Sequence, residues 1–325
     1  MKLHPRPAFS FATVLAASAT TLAVLAAANH LMARRTERTY SPEGKFMEVD
    51  GLRLHFTDRG AGRPVVLIHG NMVCGNDFDT SGVAEILRHS HRVIIFDRPG
   101  FGYSSRPNDR IWTADQQAQL LSKALQQLDV VRPVIVGHSW GTIVALAMAA
   151  RDQTAIAGLV LVSGYYVKTI RLDTLTAAVA TLPVIGTILR HTISPFVSWL
   201  TMPMTKKALF WPARVPKRFD EKFSTAMALR PSQIKAMSQD GALMIPSVIA
   251  LAEHYAKLEL PIALIAGAGD KVVFKSNSEK LEQAVEGSAL VVVSDAGHMV
   301  HYQAAQQVAE AVGTIIHKAA TRFAT

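Results

Sequence analysis

Val134-Ile135-Val136-Gly137-His138-Ser139-Trp140-Gly141-Thr142 joins an apolar run to a Gly-x-Ser-x-Gly pattern, and residues 143–150 (IVALAMAA) continue with small and apolar side chains. This order predicts a strand, a sharp turn and a helix packed behind it. Glycines at 137 and 141 remove the Cβ atoms that would collide where strand and helix approach. Such a turn exposes the Ser139 hydroxyl and sets the Trp140 N–H at the first turn of the helix. A pattern with three fixed positions also occurs by chance, so the rest of the chain has to supply an acid and a histidine, later and in that order.

The flanking sequence repeats one theme. Residues 65–69 (VVLIH), 93–97 (VIIFD) and 158–162 (GLVLV) are short apolar runs of the kind buried on both faces of a parallel sheet, 261–266 (PIALIA) resumes the sheet and 290–294 reads as its last strand. Helical patterns over 77–89, 113–128 and 276–285 separate them, and residues 300–319 read as a closing amphipathic helix. Before them, FMEVD and LRLHFTD meet at Asp50-Gly51, a hairpin signal. The alternation predicts an open, mostly parallel α/β sheet with right-handed crossovers. From about 167 to 245 the strand runs stop. Prolines 183, 195, 203, 212, 216 and 231 interrupt helical stretches rich in aromatic residues and methionine. This segment reads as a helical cap inserted between two core segments, 45–166 and 246–325, and roofing an apolar pocket. Its apolar residues would equally serve as a core between helices.

Of the 325 residues, 49% are hydrophobic and 18% charged, a globular composition. The single cysteine, Cys74, leaves no disulfide framework and no Cys-based metal cluster, and none of the twelve histidines stands in a metal-ligand spacing. No metal site and no cofactor are expected. The net charge of +9 is local: residues 165–245 hold eleven Lys/Arg against four acids, and residues 1–38 hold five against one. No groove-reading or aromatic-basic motif accompanies these charges, so nucleic acid is not the expected partner; an anionic lipid surface fits better. Residues 8–28 carry no charge over 21 positions, long enough to cross a bilayer, and form the heart of an N-terminal segment spanning 1–38. Ala26-Ala27-Ala28 also satisfies a signal-cleavage pattern, which would give an exported protein cut near Ala28. The run exceeds the usual signal core of about 7 to 15 residues, which favours a single membrane pass. Basic residues flank both ends, so its orientation stays open.

The acid and histidine appear where the elbow requires them. Asp270 follows the run 261–266 in Gly-Ala-Gly-Asp, and His298 follows the last run in Asp-Ala-Gly-His. Together with His69-Gly70-Asn71, Asp97-Arg98-Pro99-Gly100-Phe101-Gly102 and the elbow, these motifs make residues 45–320 resemble the α/β-hydrolase superfamily, in its lid-bearing branch of esterases, lipases, C–C bond hydrolases and cofactor-free haloperoxidases. The resemblance implies an eight-stranded, mostly parallel sheet flanked by helices, with Ser139 as nucleophile, His298 as base and Asp270 as its orienting acid. The oxyanion hole would comprise the Trp140 N–H and a second N–H from the loop after residues 65–69. By family resemblance that donor is Asn71, with Met72 the alternative.

His301 competes with His298 for the role of base, though His298 has the glycine before it and the place directly after the strand. His69 and His138 read as structural hydrogen-bonders, Asp97 as a loop-fixing carboxylate and Asp295 as a turn residue. Met72, Phe196, Trp199, Phe210, Trp211, Val273 and Met299 are expected to contact substrate. Asn71 also resembles the arrangement of haloalkane dehalogenases, but those relatives carry an aspartate at the elbow; an alkyl ether on Ser139 could not be hydrolysed as their alkyl ester is. The expected reaction is cleavage of a small apolar ester, thioester or lactone through an acyl-enzyme. A C–C bond hydrolase or perhydrolase with the same triad is the nearest alternative, and a slowly turning-over ligand-binding or signalling protein is another.

Overall fold

The computed structural model describes residues 10–169 and 171–322. Residues 8 and 9 of the expected apolar segment lie outside them. Eight strands form one sheet: β1 (Lys45–Val49), β2 (Leu52–Arg59), β3 (Arg63–Ile68), β4 (His91–Phe96), β5 (Val134–His138), β6 (Gly158–Val162), β7 (Ile262–Gly267) and β8 (Ala289–Val293). Their spatial order is β1-β2-β4-β3-β5-β6-β7-β8, with β2 antiparallel to β1 and β4 and every other pairing parallel. The β1–β2 hairpin turns on Asp50 and Gly51, both left-handed at φ 50° and 77°, as a two-residue turn that matches strand twist requires.

The continuous apolar runs follow from burial on two faces. Val66 and Ile68 of β3 join one core cluster with Ile135, Leu159 and the inner face of the helix behind the elbow, while Val65 and Leu67 join another with Val134, Val136 and Val160. Helices α2 (Asn76–Ser81), α3 (Val83–Arg88), α4 (Ala114–Gln127) and α5 (Trp140–Arg151) alternate with the strands, after the N-terminal α1 (Phe11–Thr39). The helix expected over 77–89 is thus two, because Gly82 at φ 87° ends α2 and its N–H returns to the Asp79 carbonyl.

The cap comprises α6 (Leu172–Thr181), α7 (Ile185–His191), α8 (Ile193–Phe210), α9 (Lys217–Lys222), α10 (Thr225–Ala228) and α11 (Pro231–Ala252); α12 (Ser276–Ala284) and α13 (Ala305–Arg322) complete the core. Two expectations change here. Pro203 does not break α8, since a helix can forgo the one hydrogen bond that proline cannot donate. Helix α11 runs unbroken through residue 245 to Ala252, with Pro246 inside it, so the expected end of the cap falls within a helix rather than at a linker.

Helix α1 is a single 29-residue helix capped by Ser10, whose Oγ accepts from the Thr13 N–H. It is long and apolar enough to cross a membrane, with a mean hydropathy of 1.9 over its most apolar window. Its few shielded residues, Leu22, Leu25, Ala26, Asn29, Ala33 and Thr36, form one stripe at helical spacing. That stripe rests on the cap: Asn29 Nδ2 donates to the carbonyls of His191 and Thr192 at 2.8 and 2.9 Å, and Glu37 pairs with Arg230 at 2.9 Å.

Candidate active site

Ser139 sits between β5 and α5 at φ 51° and ψ −119°, a conformation that costs a non-glycine residue on the order of 1–3 kcal/mol. The surroundings hold it there. Its N–H donates to the Val162 carbonyl at 2.9 Å, and its own carbonyl accepts from the Thr142 N–H at 3.0 Å and Thr142 Oγ1 at 2.6 Å. A Cβ on Gly141 would run into the Ile68 carbonyl, and one on Gly137 into the backbone of Gly141, so strand and helix meet only because both are glycine.

His298 Nε2 lies 2.9 Å from Ser139 Oγ, and His298 Nδ1 lies 2.8 Å from Asp270 Oδ2. The other Asp270 oxygen accepts the Val272 and Val273 N–H groups, each at 2.8 Å, so the carboxylate is fixed and directs one oxygen at the ring. With the Nδ1 proton committed to Asp270, Nε2 is free to accept from the serine hydroxyl. Asp270 and His298 are both buried. The His298 loop is braced twice, by His138 Nε2 donating to the His298 carbonyl at 3.1 Å and by the Met299 N–H donating to the Leu209 carbonyl at the end of α8.

The competing histidine is elsewhere. His301 Nε2 bonds Asp77 Oδ2 at 2.8 Å, and Tyr302 donates to the other oxygen of Asp77 at 2.7 Å. Asp97 fixes loops as expected, accepting from His55 Nδ1, the Gly75 N–H and the Tyr103 N–H. Burial alone would raise its carboxyl, but the hydrogen bond and positive charge of His55 outweigh that and hold it below the usual carboxylate range.

Trp140 opens α5, so its N–H has no carbonyl partner within the helix. Asn71 and Met72 lie on the loop after β3, Met72 with a left-handed φ of 71°. This loop is held by residues for which the sequence suggested no role. The fully buried Arg98 donates to the carbonyls of His69 and Gly70 at 2.8 and 3.0 Å and to Asn71 Oδ1 at 2.9 Å, and pairs with Asp240 of α11 at 2.5 Å. Arg106 and Gln117 also reach Asp240. Gln233 donates to the Met72 carbonyl, and Asn71 Nδ2 approaches the Met237 carbonyl. Residues 233, 237 and 240 share one face of α11, so a single cap helix clamps the whole loop.

The expected substrate contacts separate into groups. Phe196 and Trp199 are 60% and 61% exposed on α8, so they do not line an enclosed pocket. Phe210 and Met299 are packed with Phe219 and Tyr302 in a small core between cap and body, with Phe210–Phe219 ring centroids 4.9 Å apart. Val273 belongs to the main core, and its N–H supports Asp270. Trp211 is partly exposed, with Lys271 Nζ 3.5 Å from its ring centre. Met72 lines a cavity of about 770 Å³ together with Cys74, Tyr103, Phe223 and Tyr302; neither Ser139 nor His298 forms part of its wall.

Two buried histidines make the fold acid-sensitive. Burial, and then the charge of Arg98, bring His69 down to about 4, and burial likewise pushes His138 well below the ordinary histidine value. A histidine with a lowered folded pKa binds fewer protons folded than unfolded between the two values, so stability falls as pH drops from 6.5 towards 4. Between pH 7 and pH 5, His69 alone should remove about 2 kcal/mol, with His138 adding to it. Urea denaturation at the two pH values tests this: equal unfolding free energies would contradict it.

Comparison with known proteins agrees with this geometry. Residues 63–305 match the family described as alpha/beta hydrolase fold. The chain is 26% identical over 265 residues to 2-hydroxy-6-oxo-2,4-heptadienoate hydrolase of Pseudomonas putida, covering 80% of this chain and 91% of that protein. Against haloalkane dehalogenase 2 of Mycobacterium tuberculosis it is 27% identical over 154 residues, so it spans only about half (53%) of that relative's length. Among solved structures, an esterase from Thermogutta terrifontis superposes with a TM-score of 0.68 at 22% identity, over 85% of this chain and 99% of that one. A membrane phospholipase A superposes with a TM-score of 0.65 at 21% identity, over 93% of this chain and 96% of that one. Together with the sheet order and the elbow, the family match over three quarters of the sequence shows that the chain belongs to the α/β hydrolase fold family.

Proposed function

We propose that this protein is a membrane-anchored serine hydrolase that cleaves an apolar acyl ester, thioester or lactone through an acyl-enzyme. The observation that carries the reading is the chain Ser139 Oγ, His298 Nε2, His298 Nδ1, Asp270 Oδ2, with links of 2.9 and 2.8 Å, at a strained elbow. As Ser139 Oγ attacks the substrate carbonyl carbon, its proton passes to His298 Nε2, and the imidazolium is stabilised by Asp270. The oxyanion is held by the N–H groups of Trp140 and Asn71. Collapse of the tetrahedral intermediate breaks the acyl bond, and the leaving alcohol or thiol takes the proton from His298. Water activated by the same histidine then releases the acid.

Haloalkane chemistry is disfavoured despite the dehalogenase relative, because a serine alkyl ether has no carbonyl at which water could attack. C–C bond hydrolysis is the second reading, favoured by the Pseudomonas putida relative that aligns over most of both chains. Purified protein should be labelled by a fluorophosphonate and hydrolyse p-nitrophenyl esters in a chain-length series. Decay of a 2-hydroxy-6-oxodienoate chromophore with no ester turnover would replace the first reading by the second.

Retention of α1 is supported by its continuation as helix past residue 28 and by the docking of Asn29 and Glu37 on the cap. A cleavable signal requires an accessible, extended segment at that point. The intact mass of the protein from membranes should therefore include residues 10–28, and a start near Asn29 would contradict the anchor.

A further inference from the structure

The cap leaves an apolar face uncovered. Across residues 174–205 the only Lys, Arg, Asp or Glu is Arg190. Within that stretch Val179, Leu182, Val184, Ile185 and Ile188, on α6, α7 and their connection, are all exposed. On α8, Ile193, Phe196, Val197, Leu200 and Met204 recur at the spacing of one helical face and are exposed as well, with Trp199 at its border. So many exposed apolar side chains on successive helices mark an interaction site, and the question is what covers them.

Helix α1 supplies the answer through its docking geometry. The stripe begins at Leu22, within the uncharged part of α1, and most of it precedes Arg34; Asn29 in it is bonded to the end of α7. Charges on α1 begin only at Arg34, so α7 packs beside a portion of α1 that would lie in hydrocarbon or at its edge. The apolar face of α6 to α8 cannot then stand clear of the bilayer that α1 enters. The charges agree with such a level. Exposed Lys207 follows on the apolar part of α8, as Arg34, Arg35 and Arg38 follow that of α1, a pattern that fits lipid headgroups at the end of each apolar segment, whereas Lys206 is paired with Asp220.

We propose that the outer face of the cap, residues 179–204, is immersed in the leaflet of the lipid bilayer that α1 enters, so that the protein rests on the membrane by its cap as well as by its anchor. This rests on reading α1 as an uncleaved anchor. The C-terminal end of α8 bonds the His298 loop through the Leu209 carbonyl, so the immersed helix reaches the rim of the candidate active site.

The test uses the full chain, with Cys74→Ser or Cys74→Ala, reconstituted in phosphatidylethanolamine–phosphatidylglycerol vesicles. A nitrobenzoxadiazole label is attached through Val184→Cys, Leu200→Cys, Leu15→Cys on α1, or Val131→Cys on the catalytic body. All four positions are exposed, so folding is not at risk. Emission from positions 184 and 200 should be lost when the vesicles carry nitroxide phospholipid and should resist aqueous iodide, as for position 15; position 131 should behave in the opposite way. Lipid quenching at 15 but iodide quenching at 184 and 200 overturns the proposal and leaves the anchor intact. Protection of 184 and 200 from both quenchers overturns it in favour of a second protein copy. Absence of lipid quenching at 15 overturns the anchor, and the proposal with it.

Discussion

Replacing Ser139 with alanine should lower kcat for p-nitrophenyl ester hydrolysis by a factor on the order of 10⁴ to 10⁶, with KM nearly unchanged and fluorophosphonate labelling abolished. The size of the effect follows from the geometry. In the proposed mechanism the hydroxyl forms the covalent intermediate, and Ser139 Oγ is 2.9 Å from the base that would activate it. Alanine at this position preserves the elbow, since the N–H of residue 139 still bonds the Val162 carbonyl and the flanking glycines are untouched. The variant should therefore fold with wild-type stability, or slightly higher or lower by the difference in left-handed preference between the two residues. His298→Ala should show a loss of similar size, and the double variant scarcely more than either single one, because nucleophile and base act as a unit. A Ser139→Ala protein that retains turnover would remove the nucleophile assignment altogether.

Much of this site is written locally in the sequence, and the reasons are physical. A nucleophile elbow needs glycines where strand and helix backbones touch, so Gly137 and Gly141 announce it within five residues. Asp270 and His298 stand after apolar runs and beside glycines, because an open parallel sheet presents its chemistry at the carboxyl ends of its strands. The two-sided burial of β3 to β6 is likewise visible as unbroken apolar runs.

Other features leave no local trace. Arg98 and Asp240 are 142 positions apart, and neither neighbourhood indicates that the two are partners. Periodicity shows that α8 has an apolar stripe, yet the stripe of a buried helix and that of one facing lipid look alike; Phe196 and Trp199 were therefore expected around a pocket and are instead exposed. The continuity of α8 through Pro203 and of α11 through Pro246 is a tertiary override of a local preference, in which packing along the rest of the helix outweighs one missing hydrogen bond.

The Arg98–Asp240 pair gives the second large expected effect. Asp240 is completely buried and accepts from three side chains, Arg98, Arg106 and Gln117. Burial pulls the Arg98 guanidinium down to about 10, which still leaves it charged at neutral pH. Asp240→Ala strands that charge in the interior and should cost about 3–5 kcal/mol of stability, the usual penalty for breaking a buried pair from one side. For a chain of this size the melting temperature should fall by roughly 10 °C. The same substitution should reach the chemistry. Arg98 holds the carbonyls of His69 and Gly70 and the side chain of Asn71, so loosening it displaces a candidate oxyanion donor. At a temperature where the variant is folded, kcat should drop by on the order of 10- to 100-fold, with little change in KM. Asp240→Asn, which keeps the volume and one acceptor, should lose less of both. An Arg98→Met/Asp240→Leu variant separates the two roles: it removes the stranded charge and should recover much of the stability, but it leaves the loop after β3 without its bonds from Arg98 and should not recover kcat. Wild-type kcat in that double variant would show that the Arg98–Asp240 pair stabilises the fold without positioning the site.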